Sequence, residues 1–174
     1  MTASLVWASY ETPFGTLTVI VTPEDGVVHA SGMRPLRDNV AALPAELQAR
    51  GVVEGEQPEV AAAIEAWLDG DGDAITRVPV EQEGGPYFQE VWAQLRTVPG
   101  GTSVSYQELA TMAGRPRAMR AAGTACARNN VAPFVPCHRV VKSGGELGSY
   151  GFGGTGIKAA MLAHEGERPA PVRS

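Results

Sequence analysis

The sequence predicts an α/β N-terminal domain, a small antiparallel sheet plus a helix, followed by a mainly α, helix-turn-helix C-terminal domain. Three observations carry this reading. The first part of the chain alternates apolar strand-like runs with turn residues, whereas helical spacing takes over after about residue 86. Between them lies Glu83-Gly84-Gly85-Pro86, a linker-like stretch. The charge changes sign there as well: residues 1–82 hold four Arg and no Lys against thirteen acids, a net of −9, and residues 83–174 hold ten basic against six acidic residues, a net of +4. The domains are accordingly placed at 1–82 and 83–174.

In the first domain, Leu5-Val6-Trp7-Ala8-Ser9-Tyr10 reads as a strand, Pro13-Phe14-Gly15 as a turn and Leu17-Thr18-Val19-Ile20-Val21 as a buried strand. Asp25-Gly26 reads as a hairpin turn into Val27-Val28-His29. Over residues 59–68, Val60, Ala63, Ile64, Trp67 and Leu68 recur at helical spacing, and the run Asp69-Gly70-Asp71-Gly72-Asp73 ends the helix. Val78-Pro79-Val80 is read as a last strand.

In the second domain, Phe88, Val91, Trp92 and Leu95 predict a helix that Val98-Pro99-Gly100-Gly101 stops. Ser105-Tyr106-Gln107-Glu108 fits a capping box, so a second helix starts there and Gly114 ends it. Pro116 suits the first turn of a third helix running through Arg117, Arg120 and Ala121 towards Cys126. Two short helices across a tight turn predict a helix-turn-helix. The residues alone leave open whether the second, rich in Ala and Gly, lies against a DNA groove or packs into a core.

The chain has 174 residues, 44% of them apolar, and a net charge of −5. That composition fits one or two globular domains and argues against disorder. No stretch approaches the 18 or more apolar residues of a membrane span, and Met1 to Tyr10 lacks a secretory pattern, so a cytoplasmic protein with no membrane association is expected. Cys126 and Cys137 form neither a disulfide framework nor a zinc-ligand spacing, and no residue cluster calls for a metal. Within residues 96–142, Glu108 is the only acid against Arg96, Arg115, Arg117, Arg120, Arg128, Arg139 and Lys142. A generically basic surface accounts for this as well as a nucleic-acid face does.

Residues 131–141 are strongly apolar, yet Cys137, His138 and Arg139 stand in them consecutively. A nucleophilic sulfur must be a thiolate, and an unperturbed thiol with pKa about 8.5 is mostly protonated at neutral pH. His138 titrates in the right range to take that proton, but on an extended segment neighbouring side chains face opposite ways. By itself a Cys beside a His is more often a buried thiol next to a hydrogen-bonded imidazole than a catalytic pair.

The run Pro136-Cys137-His138-Arg139-Val140 resembles the signature of the O6-alkylguanine-DNA alkyltransferases, or methylated-DNA–protein-cysteine methyltransferases. The likeness extends to Phe88-Gln89 with Val91-Trp92, Ser105-Tyr106-Gln107-Glu108-Leu109-Ala110, Gly114-Arg115-Pro116, Arg120-Ala121, Asn129, Tyr150 and Leu162-Ala163-His164-Glu165-Gly166. It covers residues 86–166 in the family's order. The resemblance implies a ribonuclease-H-like first domain and a winged helix-turn-helix second domain. It implies direct-reversal repair, in which the alkyl group of O6-alkylguanine in DNA, with O4-alkylthymine as a further candidate, passes irreversibly to Cys137 in a single turnover.

The same resemblance assigns roles to residues. Cys137 is the nucleophile, His138 takes its proton through a water, Glu165 orients the imidazole, and Asn129 braces the turn before the active-site segment. Tyr106 contacts the flipped base and returns a proton. Backbone groups of Cys137, Val140 and Gly151 hold the guanine edge, and Pro133 and Tyr150 wall the pocket. Arg120 enters the base stack vacated by the extruded nucleotide, with Tyr106, Arg115, Arg117, Ala121 and Arg128 on the DNA face. The implied partner is double-stranded DNA, bound as a monomer through the minor groove with base flipping, its cooperativity left open; no cofactor is implied.

The chain departs from the family pattern at three places. Asn130 follows Asn129 where Pro is common, the loop after Tyr150 is one residue longer, and Ala160-Met161 and Cys126 are smaller or softer than usual. Gly151-Phe152-Gly153-Gly154-Thr155-Gly156 matches G-x-G-x-x-G formally, but lacks the flanking βαβ unit and is expected to be a flexible pocket loop. His29 and His164 are expected to be structural or surface residues. Two other functions compete: a helix-turn-helix module that senses alkylated DNA without repairing it, and a cysteine hydrolase that turns over small acyl substrates.

Overall fold

A computed structural model describes residues 3–166, so the last residues of the expected second domain, 167–174, lie outside the described residues. Strands β1 (Leu5–Thr12) and β2 (Gly15–Val21) form an antiparallel hairpin closed by Thr12 and Gly15, and β3 (Val28–Gly32) pairs antiparallel with β2. Two short helices, α1 (Leu36–Ala41) and α2 (Ala45–Gln48), lead to β4 (Val52–Glu54). That strand pairs parallel with β1, giving the order β3-β2-β1-β4. The sheet is therefore mixed rather than purely antiparallel. The connection from β3 to β4 through α1 and α2 allows the last strand to enter in the same direction as β1.

Period-2 alternation divides β2 between two cores. Leu17, Val19 and Val21 join an apolar cluster with Val60, Ile64 and Trp67 of α3 (Pro58–Leu68), while Ile20 joins Leu5, Ala30 and Leu43 beneath α1 and α2. The first cluster continues without interruption into Val91, Trp92, Leu95, Phe134 and Val140, so the two halves share one core. The segment 78–80 is not a full strand: a 3-10 turn over Ile75–Arg77 precedes it, and only Val80 bridges to Val28.

In the second half, α4 (Pro86–Leu95) starts on a proline and buries Val91, Trp92 and Leu95, as the spacing predicts. Strand β5 (Val104–Ser105) runs into α5 (Tyr106–Met112). The capping box is formed: Glu108 N–H donates to Ser105 Oγ at 3.0 Å, and Ser105 N–H donates to Glu108 Oε1 at 3.0 Å. Gly114, at φ +85°, ends α5 in a Schellman turn in which Gly114 N–H reaches Thr111 O and Arg115 N–H reaches Ala110 O.

The next helix, α6 (Met119–Ala127), begins three residues after Pro116 rather than at it. Pro116 sits inside a turn closed by Ala118 N–H on Arg115 O, the position where its fixed φ suits a turn as well as a helix start. Residues 137–139 form a 3-10 turn, β6 (Val140–Val141) pairs parallel with β5, and α7 (Thr155–His164) closes the described chain. No helix among the described residues is long and apolar enough to cross a membrane.

Candidate active site

The site is assembled by the pairing of Val104 with Val140 and of Ser105 with Val141. This short parallel pair sets the first residue of α5, Tyr106, beside the turn that carries Cys137. That turn, Cys137–Arg139, is 3-10 and not extended: Arg139 N–H donates to Pro136 O at 2.9 Å. With three residues per turn, successive side chains fan out about 120° apart. Cys137, His138 and Arg139 therefore take three separate directions, instead of the opposite faces expected of a strand.

Asn129 holds the segment that precedes the turn. Its Nδ2 donates to Val135 O at 2.8 Å and to Cys137 Sγ at 3.3 Å, and its Oδ1 accepts from Val131 N–H at 3.1 Å. Gln82, which the sequence did not single out, donates to Asn129 Oδ1 at 3.0 Å and accepts from Asn130 N–H at 2.8 Å. The Asn130 amide that a proline would lack is thus part of the brace. Asn130 N–H and Asn129 hold the turn together through Gln82.

His138 is fully buried, and its Nε2 lies 2.9 Å from Glu165 Oε1. Glu165 also accepts from Arg139 Nε at 3.0 Å, Arg139 Nη2 at 2.6 Å and Trp67 Nε1 at 2.9 Å. Arg139 is itself completely buried and donates further to Val98 O and Gly72 O. Burial alone pushes the Glu165 carboxyl up, but His138 and Arg139 more than offset it and hold it down at about 2. Burial keeps His138 below its ordinary value of 6.5, against the pull of Glu165. The resting pair is an ionised carboxylate, whose charge the Arg139 guanidinium neutralises, and a neutral imidazole.

Two buried polar atoms of the site lack a hydrogen-bond partner: His138 Nδ1 and the Tyr150 hydroxyl. Native proteins rarely leave such atoms unsatisfied, and those they do leave call for a water, an ion or a substrate. With Nε2 committed to Glu165, Nδ1 is the nitrogen that can receive a proton. Burial pushes the Cys137 thiol up, while the Asn129 hydrogen bond and the Lys158 ammonium pull it back. Lys158 is fully buried on α7, its Nζ 5.9 Å over the Tyr106 ring, and the sequence reading missed it. A cation inside an otherwise apolar helix was the signal that could have found it.

Tyr106 also lines an open groove of about 740 Å³, together with Met119, Arg120, Gly123 and Thr124 of α6 and Lys142, Ser143, Gly148 and Ser149 opposite. Of the expected DNA-face residues, Arg120 and Tyr106 line this groove. Arg117 and Arg128 are exposed beside α6, Ala121 is half-buried on it, and Arg115 stacks 5.1 Å from the Tyr87 ring. Two of the seven cations counted over residues 96–142 face inward: Arg139, and Arg96, which is bound to Thr76 O and Val78 O. Pro133, Val140 and Tyr150 are buried near Cys137 in the chain or the fold, and Gly151 is exposed at the loop. His29 and His164 hold structural hydrogen bonds to Thr22 Oγ1 and to Trp67 O.

The site thus combines a buried thiol, a buried imidazole held by a carboxylate, and a tyrosine that lines an open groove. A family model described as 6-O-methylguanine DNA methyltransferase, DNA binding domain, matches residues 86–167. The chain is 40% identical over 155 residues to the methylated-DNA–protein-cysteine methyltransferase of Mus musculus, covering 81% of this chain and 71% of that protein. The fold is similar to that of the M. tuberculosis O6-methylguanine methyltransferase R37L variant, with a TM-score of 0.74 and 30% identity, covering 97% and 96% of the two chains. It is also similar to Mycobacterium tuberculosis OGT in complex with DNA, with a TM-score of 0.72, 28% identity and 92% of each chain covered. The chain belongs to the methylated-DNA–protein-cysteine methyltransferase family.

Proposed function

We propose that this protein repairs DNA by direct reversal, with Cys137 as the acceptor of the alkyl group from O6-alkylguanine. The observation that carries the reading is the imidazole beside Cys137: its Nε2 is fixed on Glu165 while its buried Nδ1 has no partner. This is the nucleophile, base and orienter logic, with a water spanning the thiol and Nδ1.

Cys137 Sγ attacks the alkyl carbon. The S–C bond forms as the C–O6 bond breaks, and its electron pair stays on the guanine. The thiol proton passes through the water to His138, whose positive charge Glu165 stabilises. The Tyr106 hydroxyl, which burial pushes up to about 12, stays protonated at rest and donates to the departing guanine. Tyr106 then regains a proton by way of His138, so in net the thiol proton ends on the base. A thioether is a poor leaving group, and the protein is spent after one turnover.

Access to O6 requires the nucleotide to leave the duplex, which costs a few kcal/mol. Arg120 fills the vacated stack, and α5 and α6 act as a winged helix-turn-helix whose second, small-residue helix lies along the minor groove of double-stranded DNA. Arg115, Arg117, Ala121 and Arg128 flank it. Val140, Gly151 and Cys137 offer backbone groups to the guanine edge, with Pro133 and Tyr150 as walls. Residues 83–174 carry all of this chemistry, residues 1–82 form a ribonuclease-H-like support, and the protein acts as a monomer in the cytoplasm.

Stoichiometry tests the reading. With excess duplex bearing one O6-methylguanine, restored guanine should plateau at one per protein molecule. Continued turnover, or repeated hydrolysis of small esters, would instead favour a cysteine hydrolase, and binding without repair a lesion sensor.

A further inference from the structure

The loop after Tyr150, one residue longer than the family pattern, is pinned by Phe152. Phe152 is 7% exposed and packs on Tyr150 with ring centroids 5.7 Å apart. On its other side it leaves the second half of the chain altogether. Gly32 ends β3, and a Cβ there would lie 2.5 Å from Phe152 Cε1, so the ring occupies the space that only a glycine leaves. The Arg34 guanidinium sits 5.2 Å over the same ring.

Arg34 is in turn fixed from within the N-terminal half. Its Nε donates to Asn39 Oδ1 at 2.7 Å, and the fully buried Asn39 donates to Thr18 O at 3.3 Å. Arg34 Nη2 is buried without a hydrogen-bond partner, so its position is set by Asn39 and by the aromatic face it covers. Tyr150 O accepts from Gly154 N–H at 2.9 Å, which closes the loop onto the start of α7. Gly153, at φ +128°, supplies the reversal. A chain of contacts thus runs from the sheet through Asn39, Arg34 and Phe152 to Tyr150.

We infer that Phe152, seated on Gly32 and Arg34, is a specificity-determining residue that fixes the Tyr150 wall and so limits the size of alkyl group that Cys137 accepts. The inference rests on the reading of Cys137 as alkyl acceptor and Tyr150 as pocket wall. It gives residues 1–82 a part in substrate choice. A loop clamped at its centre cannot swing away from a bulky adduct, whereas a loop made of glycines alone can.

The experiment compares second-order rates of alkylation, read from intact-protein mass, on duplexes carrying one O6-methylguanine or one O6-benzylguanine. The proteins are wild type, Phe152→Ala, Phe152→Leu and Arg34→Gln. The benzyl-to-methyl ratio should rise about tenfold in Phe152→Ala, the lower range of what one altered pocket contact is worth, and less in the same direction in the other two. If Phe152→Ala does not fold, Phe152→Leu and Arg34→Gln decide by the same ratio. An unmoved ratio overturns the clamp, whether the two rates stay constant or fall together. Absence of methylation in the wild type overturns the alkyl-acceptor reading itself, and is distinguishable because it is scored before any ratio is taken.

Discussion

At the scale of single residues, the account depends on which group takes the thiol proton. Burial keeps His138 neutral at pH 7, with its value below 6.5, and raises the Cys137 thiol, so little free thiolate exists at neutral pH. Proton removal by His138 during the reaction then gives a rate of methyl transfer that is flat from about pH 7 to 8.5. The rate falls only on the acid side of the ordinary imidazole value, because burial lowers the pH at which His138 becomes protonated. A stopped rate series on the methylated duplex checks this. A rate rising about tenfold per pH unit through that range would mean that a pre-formed thiolate reacts without the imidazole. Cys137, His138 and Glu165 were legible because the resemblance aligned them. Gln82 was not, since its partner Asn129 is 47 residues away and nothing local in Gln82 marks it.

Elements whose signals are local were read well from the sequence. The Ser105–Glu108 capping box and Gly114 depend on residues within one turn, and both formed. Strand β4, three residues long, and helices α1 and α2, six and four residues long, are too short for any period to register, so the sheet's parallel edge was missed. The start of α6 was misplaced because Pro116 favours a turn and a helix start alike. The cap at Ser105 also fixes Tyr106, the first residue of α5. Ser105→Ala should lower stability by about 1 kcal/mol in urea unfolding and slow methyl transfer as Tyr106 loses its anchor. Unchanged stability would mean that the β5–β6 pairing holds the helix start without the cap.

For the whole molecule, a net charge of −5 conceals an uneven distribution, with Arg117, Arg120 and Arg128 exposed on or beside α6. The halves are not independent: Trp67 of α3 and Gly72 O after it complete the Glu165–Arg139 network, and one apolar core runs through both. No spacing pattern in the sequence reports such long-range coupling. At this scale Arg120 should matter on duplex DNA far more than on a free base. Arg120→Ala should reduce repair of an O6-benzylguanine duplex about a hundredfold, while transfer from free O6-benzylguanine falls far less. Equal losses on both substrates, measured side by side, would place Arg120 outside the extrusion step.

The central claim is the covalent fate of Cys137, and mass spectrometry of the intact protein after incubation with one O6-methylguanine duplex reads it directly. The account predicts one added methyl group, mapped by peptide analysis to Cys137, equal in amount to the guanine restored and absent from Cys137→Ser. Restored guanine with no mass gain, or a methyl group found on Cys126, would contradict it.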